Sequence, residues 1–175
     1  MKDPFVCARC GAKGPTCCEL TPGTEEVCFP VSDYERERIQ ECVPDLGGFA
    51  SQPNTALFIE NLLRLFPDQR RTIRDVFPPG GMHYRLEVDR MGRCVFLGEQ
   101  GCMIPQKARP LYCRLFPFWT AENGQITILE IDRCLAQQEN KSPGKLFNAF
   151  ATSQSKVRLL HSELRIAWGF APHSE

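Results

Sequence analysis

Apolar residues recur at helical spacing in several separate stretches of the chain. After Asn54 and Thr55, either of which can cap a helix, Phe58, Leu62 and Leu65 combine with Ile59, Leu63 and Phe66 into a broad apolar face ending near Phe66. Pro67 opens a further short helix ending near Phe77, with Ile73, Val76 and Phe77 inward. Leu146, Phe150, Val157, Leu160, Leu164 and Trp168 form the stripe of one long final helix over residues 142–168. Ser142 and Pro143 start it and Gly169 stops it. A mostly charged helix is expected over residues 33–42, opened by a capping box between Ser32 and Glu35. Residues 44–53 read as a connector, residues 25–31 as an extended segment carrying Pro30, and Pro78-Pro-Gly-Gly81 as a firm break.

The period then changes. Tyr84, Leu86 and Val88 alternate with Arg85, Glu87 and Asp89, which is the pattern of a strand. A turn with Gly92 in a left-handed conformation leads to a return strand at Cys94, Val95, Phe96 and Leu97. A second turn over residues 98–101 delivers Cys102. A short helix is expected over residues 105–113, with Pro117 beyond its end. Residues 118–121 and 125–131 flank Gly124 as another hairpin, and Cys134 follows. These elements predict an α+β fold: a mostly helical single domain with two short β-hairpins and cysteine-rich metal-binding loops. The 175 residues suit one domain.

Composition changes the picture chiefly through cysteine. With 42% hydrophobic residues, the chain can build an ordinary core without staples. Lys and Arg balance Asp and Glu at 21 each, so no global basic field gathers nucleic acid or anionic lipid. Residues 64–114 hold ten basic and five acidic residues, which read as a solvated face and counter-charge, and nucleic acid is not expected as a partner. No apolar run approaches the ~20 residues of a membrane span, and the first residues do not resemble a secretory leader. The expected location is therefore cytoplasmic, where ten cysteines point to metal or redox chemistry rather than stable disulfides. Metalloprotease, nucleophile-elbow, Walker and dinucleotide motifs are missing from the sequence. Of the three histidines, His83 is a candidate ligand or proton carrier, His161 reads as a boundary residue of the last helix, and His173 is isolated.

Cys7, Cys10, Cys17 and Cys18 lie within one short run, where Gly11, Gly14 and Pro15 argue for a loop rather than a regular helix. Cys94, Cys102, Cys113 and Cys134 form a second group. Four thiolates complete a tetrahedral zinc site or hold an iron–sulfur cluster, so these eight could serve one or two centres. Side chains of the adjacent Cys17 and Cys18 would point to opposite faces of an extended segment. The pair is expected to divide, one thiol joining Cys7 and Cys10 and the other turning toward the second group. The N-terminal loop should then pack against residues 94–117. Arg9, Arg93, Arg114 and Arg133 each neighbour one of these cysteines and could offset thiolate charge. Cys28 and Cys42 read as core or surface thiols.

These motifs resemble the CxxCxxCC zinc- or iron-chelating family, the YkgJ-type cysteine-cluster proteins. The resemblance rests on Cys7, Cys10, Cys17 and Cys18, then on Cys94 with Val95, Phe96 and Leu97. It continues through Cys102, Ile104, Arg109, Pro110, Cys113, Arg114 and Phe116, and ends at Cys134. Six residues rather than two separate Cys10 from the cysteine pair, and Pro105 stands where the family usually has tyrosine. The resemblance implies metal chelation by those eight cysteines, with Arg109 and Arg114 beside the bound centre. Similar modules occur in flagellin lysine methylases. An iron–sulfur enzyme or subunit acting on a protein substrate is therefore one alternative, and a zinc-stapled interaction module another.

Overall fold

The computed structural model describes residues 6–46 and 48–171. The chain forms an α+β domain, with eight α-helices and three two-stranded antiparallel sheets among the described residues. The helices are α1 (Val6–Lys13), α2 (Asp33–Cys42), α3 (Ala56–Leu65), α4 (Arg70–Val76), α5 (Leu111–Leu115), α6 (Leu135–Glu139), α7 (Pro143–Ala149) and α8 (Gln154–Ala167). The strands β1 (Phe49–Pro53) and β2 (Met82–Leu86) pair with each other. So do β3 (Leu97–Gly98) and β4 (Gly101–Cys102), and β5 (Phe118–Thr120) and β6 (Ile126–Ile128).

Capping chemistry sets several boundaries. Ser32 and Glu35 form the reciprocal box that opens α2, and Thr55 caps α3 by accepting from Phe58 N–H. The hairpin around Gly124 is present as β5 and β6. Other expectations change. Residues 6–13 are helical, so Cys7 and Cys10 sit one turn apart on α1; a single glycine, Gly11, does not outweigh the helix, which ends where Gly14 takes a φ of 43° before Pro15. Residues 25–27 form a 3₁₀ turn rather than an extended start. Part of the expected connector is β1. It pairs with β2 from Phe49 opposite Leu86 to Pro53 opposite Met82, although Ala50, Ser51 and Gln52 carry little strand preference of their own. The expected ladder between residues 84–88 and 94–97 shrinks to a bridge between Val88 and Cys94. Residues 105–109 are turns, and α5 begins only after Pro110.

The long final helix is two helices. Ala151 has a φ of 48°, Thr152 N–H donates back to Phe147 C=O, and Ser153 caps α8 anew. Phe150 and Val157 are seven residues apart, so the apolar spacing continued across a break it could not reveal.

A large core joins Phe58 and Leu62 of α3 and Phe66 just beyond its end to Leu111 and Leu115 of α5, Phe118 and Trp119 of β5, and Leu146, Val157 and Leu164 of α7 and α8. A smaller one gathers around Ile39, Phe96, Ile104 and Ala108. Arg165 is buried in α8 and grips Asp68 with two guanidinium nitrogens. Burial works against the Asp68 carboxylate, but Arg165 holds it down to about 2. No described helix is long and apolar enough to cross a membrane.

Candidate metal centre

The N-terminal cysteines reach the rest of the site through close backbone contact. Cys94 N–H donates to Cys18 C=O at 2.9 Å, and Leu20 N–H to Gly92 C=O at 2.7 Å. A bridge between Glu19 and Arg93 lies between them, so residues 18–20 run antiparallel to residues 92–94. Gly92 has a φ of 82°, and a Cβ there would stand 2.1 Å from the Leu20 carbonyl oxygen. Helix α1 lies directly on β4: a Cβ on Gly11 would meet Gly101 Cα at 2.7 Å, and one on Gly101 would meet Ala8 Cα at 2.8 Å. Bare backbone on both sides brings Cys7 and Cys10 beside Cys102. The expected packing of the N-terminal segment against the region from residue 94 onward is therefore present.

The segment from Arg109 to Cys113 is fixed from α2. Helix α5 has Pro110 at its N-cap position and no side-chain cap of its own. Glu35, 1% exposed, supplies one from a distance. One carboxylate oxygen accepts from Leu111 N–H at 2.7 Å, while the other accepts from Ser32 N–H and Ser32 Oγ at 2.9 and 2.7 Å. Arg38 donates to Arg109 C=O at 3.1 Å. Arg109 in turn donates from Nε to Ile104 C=O at 2.9 Å, which turns its guanidinium toward the cysteines.

Between the two cores lies a cavity of about 420 Å³. Nine of the ten cysteines line it: Cys7, Cys10, Cys17, Cys18, Cys28, Cys94, Cys102, Cys113 and Cys134. Apolar side chains such as Phe29, Val31, Leu86, Ile104 and Phe116 fill most of the remaining wall. No carboxylate or imidazole is on it, and Arg109 is its one charged residue, among the described residues.

All eight cysteines expected as ligands are thus on one cavity. Cys28, expected as a core or surface thiol, is a ninth on the wall, delivered there by the 3₁₀ turn before it; a lone cysteine outside any motif gave no signal of this. Cys42 is exposed at the end of α2, away from the cavity. Arg109 faces the thiols as expected. Arg114 does not line this cavity. Arg9 pairs with Glu139, Arg93 with Glu19, and Arg133 donates to Glu19 C=O, so these three serve ordinary structural contacts.

The thiols feel one another. Burial, then the field of Cys18, pushes Cys7 up to about 12, against the pull of Arg109. Burial likewise raises Cys94 to about 12, with Cys18, Cys102 and Cys28 contributing. Cys102, Cys113 and Cys134 are raised, in each case chiefly by burial. Cys18 goes the other way: the Cys17 thiol donates to its sulfur, Thr16 and Arg109 assist, and its pKa falls to about 7. Cys17, as that donor, is raised. Cys18 and Cys113 show appreciable surface, yet desolvation is the leading cause at Cys113. Much of the surface they show is cavity wall.

Cys17 and Cys18 do not point to opposite faces. They occupy a turn, their sulfurs meet, and both face the cavity. Their further neighbours nonetheless divide. Cys17 feels Cys7 and Cys134, while Cys18 acts on Cys94, Cys102 and Cys113 as well as on Cys7. Among the described residues, no three cysteine, histidine or acidic side chains converge where one ion would sit. The sulfurs ring a broad space.

The histidines lie elsewhere. His83 is buried, stacks on Phe58 with ring centroids 3.7 Å apart, and hydrogen-bonds through Nδ1 to Asn54 Oδ1 at 2.9 Å. Burial, helped by Arg85, pushes it down to about 4. His161 is 1% exposed and packs on the edge of Trp119, so it is a core residue and not a boundary one. His173 lies outside the described residues. Because His83 is neutral when folded, its contribution to stability is complete above its unfolded pKa of ~6.5 and is lost as pH falls toward about 4. Thermal midpoints measured between pH 8 and pH 4 should fall through that window, and His83→Gln, which does not titrate, should flatten the fall. An unchanged profile in the variant would remove His83 as its source.

Comparison with family models, with curated proteins and with solved structures gave no match.

Proposed function

We propose that this protein binds a thiolate-ligated metal centre, an iron–sulfur cluster in the first instance and zinc as the alternative. The observation that carries the reading is a single cavity bearing nine sulfurs and, among the described residues, no carboxylate and no imidazole. Soft thiolates suit zinc and iron–sulfur clusters, whereas magnesium and calcium need oxygen ligands. The width of the ring supports a cluster. A lone tetrahedral zinc takes sulfurs at ~2.3 Å from one point, while a cluster spans several ångströms and accepts ligands set further apart.

In this reading, Cys7, Cys10, Cys17 and Cys134 hold one side and Cys18, Cys94, Cys102 and Cys113 the other, as one large centre or two. Arg109 offsets the accumulated negative charge, and the apolar wall keeps water from the sulfurs. An iron–sulfur centre would supply electron transfer, and zinc would supply cohesion. The resemblance to the cysteine-cluster chelators supports the same chemistry, and free thiols in such number suit a reducing compartment such as the cytoplasm.

The test is anaerobic purification followed by an absorption spectrum and analysis for iron, zinc and acid-labile sulfide. Broad visible absorption with iron and sulfide in similar amounts is the expected result. A colourless protein with about one zinc per four cysteines would select zinc. Neither metal, in cells supplied with both and after reconstitution, would overturn the proposal.

A further inference from the structure

A second cavity, of about 340 Å³, lies against the first, and Cys7, Arg109, Cys113, Phe116 and Phe150 line both. Its character is different. Among the described residues, Lys107, Arg109, Arg114 and Lys156 line it against one carboxylate, Glu163, a formal excess of three positive charges (four cations against one acid). Phe116, Phe118, Phe150, Leu159 and Leu160 supply an apolar surface beside them. The break between α7 and α8 shapes it, since Phe150, Ala151 and Thr152 are on its wall, Ala151 with its φ of 48°.

Arg114 distinguishes this pocket from a solvated basic surface. It is half-buried, yet among the described residues its guanidinium makes no hydrogen bond and no ion pair. A guanidinium stays charged and carries five N–H donors in a fixed fork. Glu163 attracts it without binding it directly. A cation that has surrendered part of its hydration and holds no carboxylate is arranged for an anion from outside.

We propose that this pocket binds a small organic anion, with a carboxylate, phosphate or sulfonate head on the cations and an apolar body against the phenylalanines and leucines. Mixed apolar and convergent polar walls are usual for small-molecule sites. The ligand would lie directly behind the wall that carries Cys7 and Cys113. Lys107, Arg114, Lys156, Leu159 and Leu160 line this pocket and not the cysteine cavity, so the binding can be tested whether or not that cavity holds metal.

The probe is 8-anilinonaphthalene-1-sulfonate, an aromatic sulfonate that fluoresces in apolar surroundings, with uncharged N-phenyl-1-naphthylamine as the comparison. Titrations use the purified full chain at fixed ionic strength. Lys156 and Glu163 are exposed and line only this pocket, so their replacement tests it without disturbing the cysteine cavity. The sulfonate should bind with one-to-one stoichiometry. Lys156→Glu should weaken it about tenfold, and Glu163→Gln should tighten it a few-fold, in line with the modest worth of partly exposed charge pairs. Binding of the uncharged compound should respond to neither change. Displacement by phenyl phosphate, benzoate and inorganic phosphate then ranks the head group. No saturable sulfonate binding, or binding indifferent to both substitutions, would overturn the proposal. So would the uncharged compound binding equally well.

Discussion

Replacing Cys18 by serine is expected to abolish most metal binding, and replacing Cys42 to leave it unchanged. Cys18 is the sulfur through which the two sides of the ring communicate. It accepts from Cys17, acts on Cys7, Cys94, Cys102 and Cys113, and has its pKa lowered to about 7. Metals bind thiolates, so a sulfur whose pKa is lowered toward neutrality is a natural first point of attachment. Loss of a residue that merely orients a ligand typically costs 10–100-fold in affinity, so loss of Cys18 should cost at least about 100-fold. Serine keeps the size and removes the sulfur. Cys42 is exposed and off the cavity, which makes Cys42→Ser the matched control. Metal and sulfide per chain after gel filtration provide the measurement. Wild-type content in Cys18→Ser would sink the shared-centre arrangement even if metal binding itself survived. Cys28→Ser, measured alongside, shows whether the ninth thiol is a ligand or only lines the wall.

Replacing Glu35 by glutamine should destabilise the domain by roughly 3 kcal/mol, the upper range for losing hydrogen bonds to a charged group and leaving a buried donor unsatisfied. Both Glu35 oxygens accept, from Leu111 N–H on one side and Ser32 on the other. A glutamine amide can turn its oxygen to only one of them, and its NH₂ group then opposes an N–H. At about 2–4 °C per kcal/mol for a chain of this length, the thermal midpoint should fall by roughly 10 °C. Glu41→Gln, on an exposed position of the same helix, should shift it little. The damage should reach the site as well. Leu111 opens α5 and Cys113 follows two residues on, so an unanchored α5 moves a cysteine of the ring. Reduced metal content in chains that remain folded would show that coupling. A midpoint within a degree or two of wild type would mean that Glu35 does not anchor α5.

The cysteine set was readable from sequence because its thiols cluster at short spacings. Cys7 and Cys10, the adjacent pair, and Cys94 to Cys134 all proved to share one cavity. Caps were readable too, at Ser32 and Thr55, because they depend on residues three positions apart. What escaped was decided by tertiary contact. Strand β1 exists because β2 pairs with it, and Phe49, Ala50, Ser51, Gln52 and Pro53 give no strand signal alone. The α1 helix is held by the Gly11 and Gly101 backbones in contact, a fit no local pattern encodes. The places of Cys28 on the cavity wall and of Arg114 on the neighbouring pocket escaped for the same reason. Sequence proximity to a cysteine placed Arg114 at the metal, while the turn of α5 carries it to the neighbouring pocket.

The antiparallel joint between residues 18–20 and 92–94 also fixes an order of events. It closes a loop holding residues 19–93, and the ring is complete only when Cys134, beyond a further hairpin, is in place. Closing such a loop carries an entropic cost that local thiols alone do not repay. During synthesis, the thiols of residues 7–18 emerge long before their partners and wait unshielded. On the proposed function, a centre shared by these thiols would assemble only after residues 18–20 have joined residues 92–94 and Cys134 has reached the cavity.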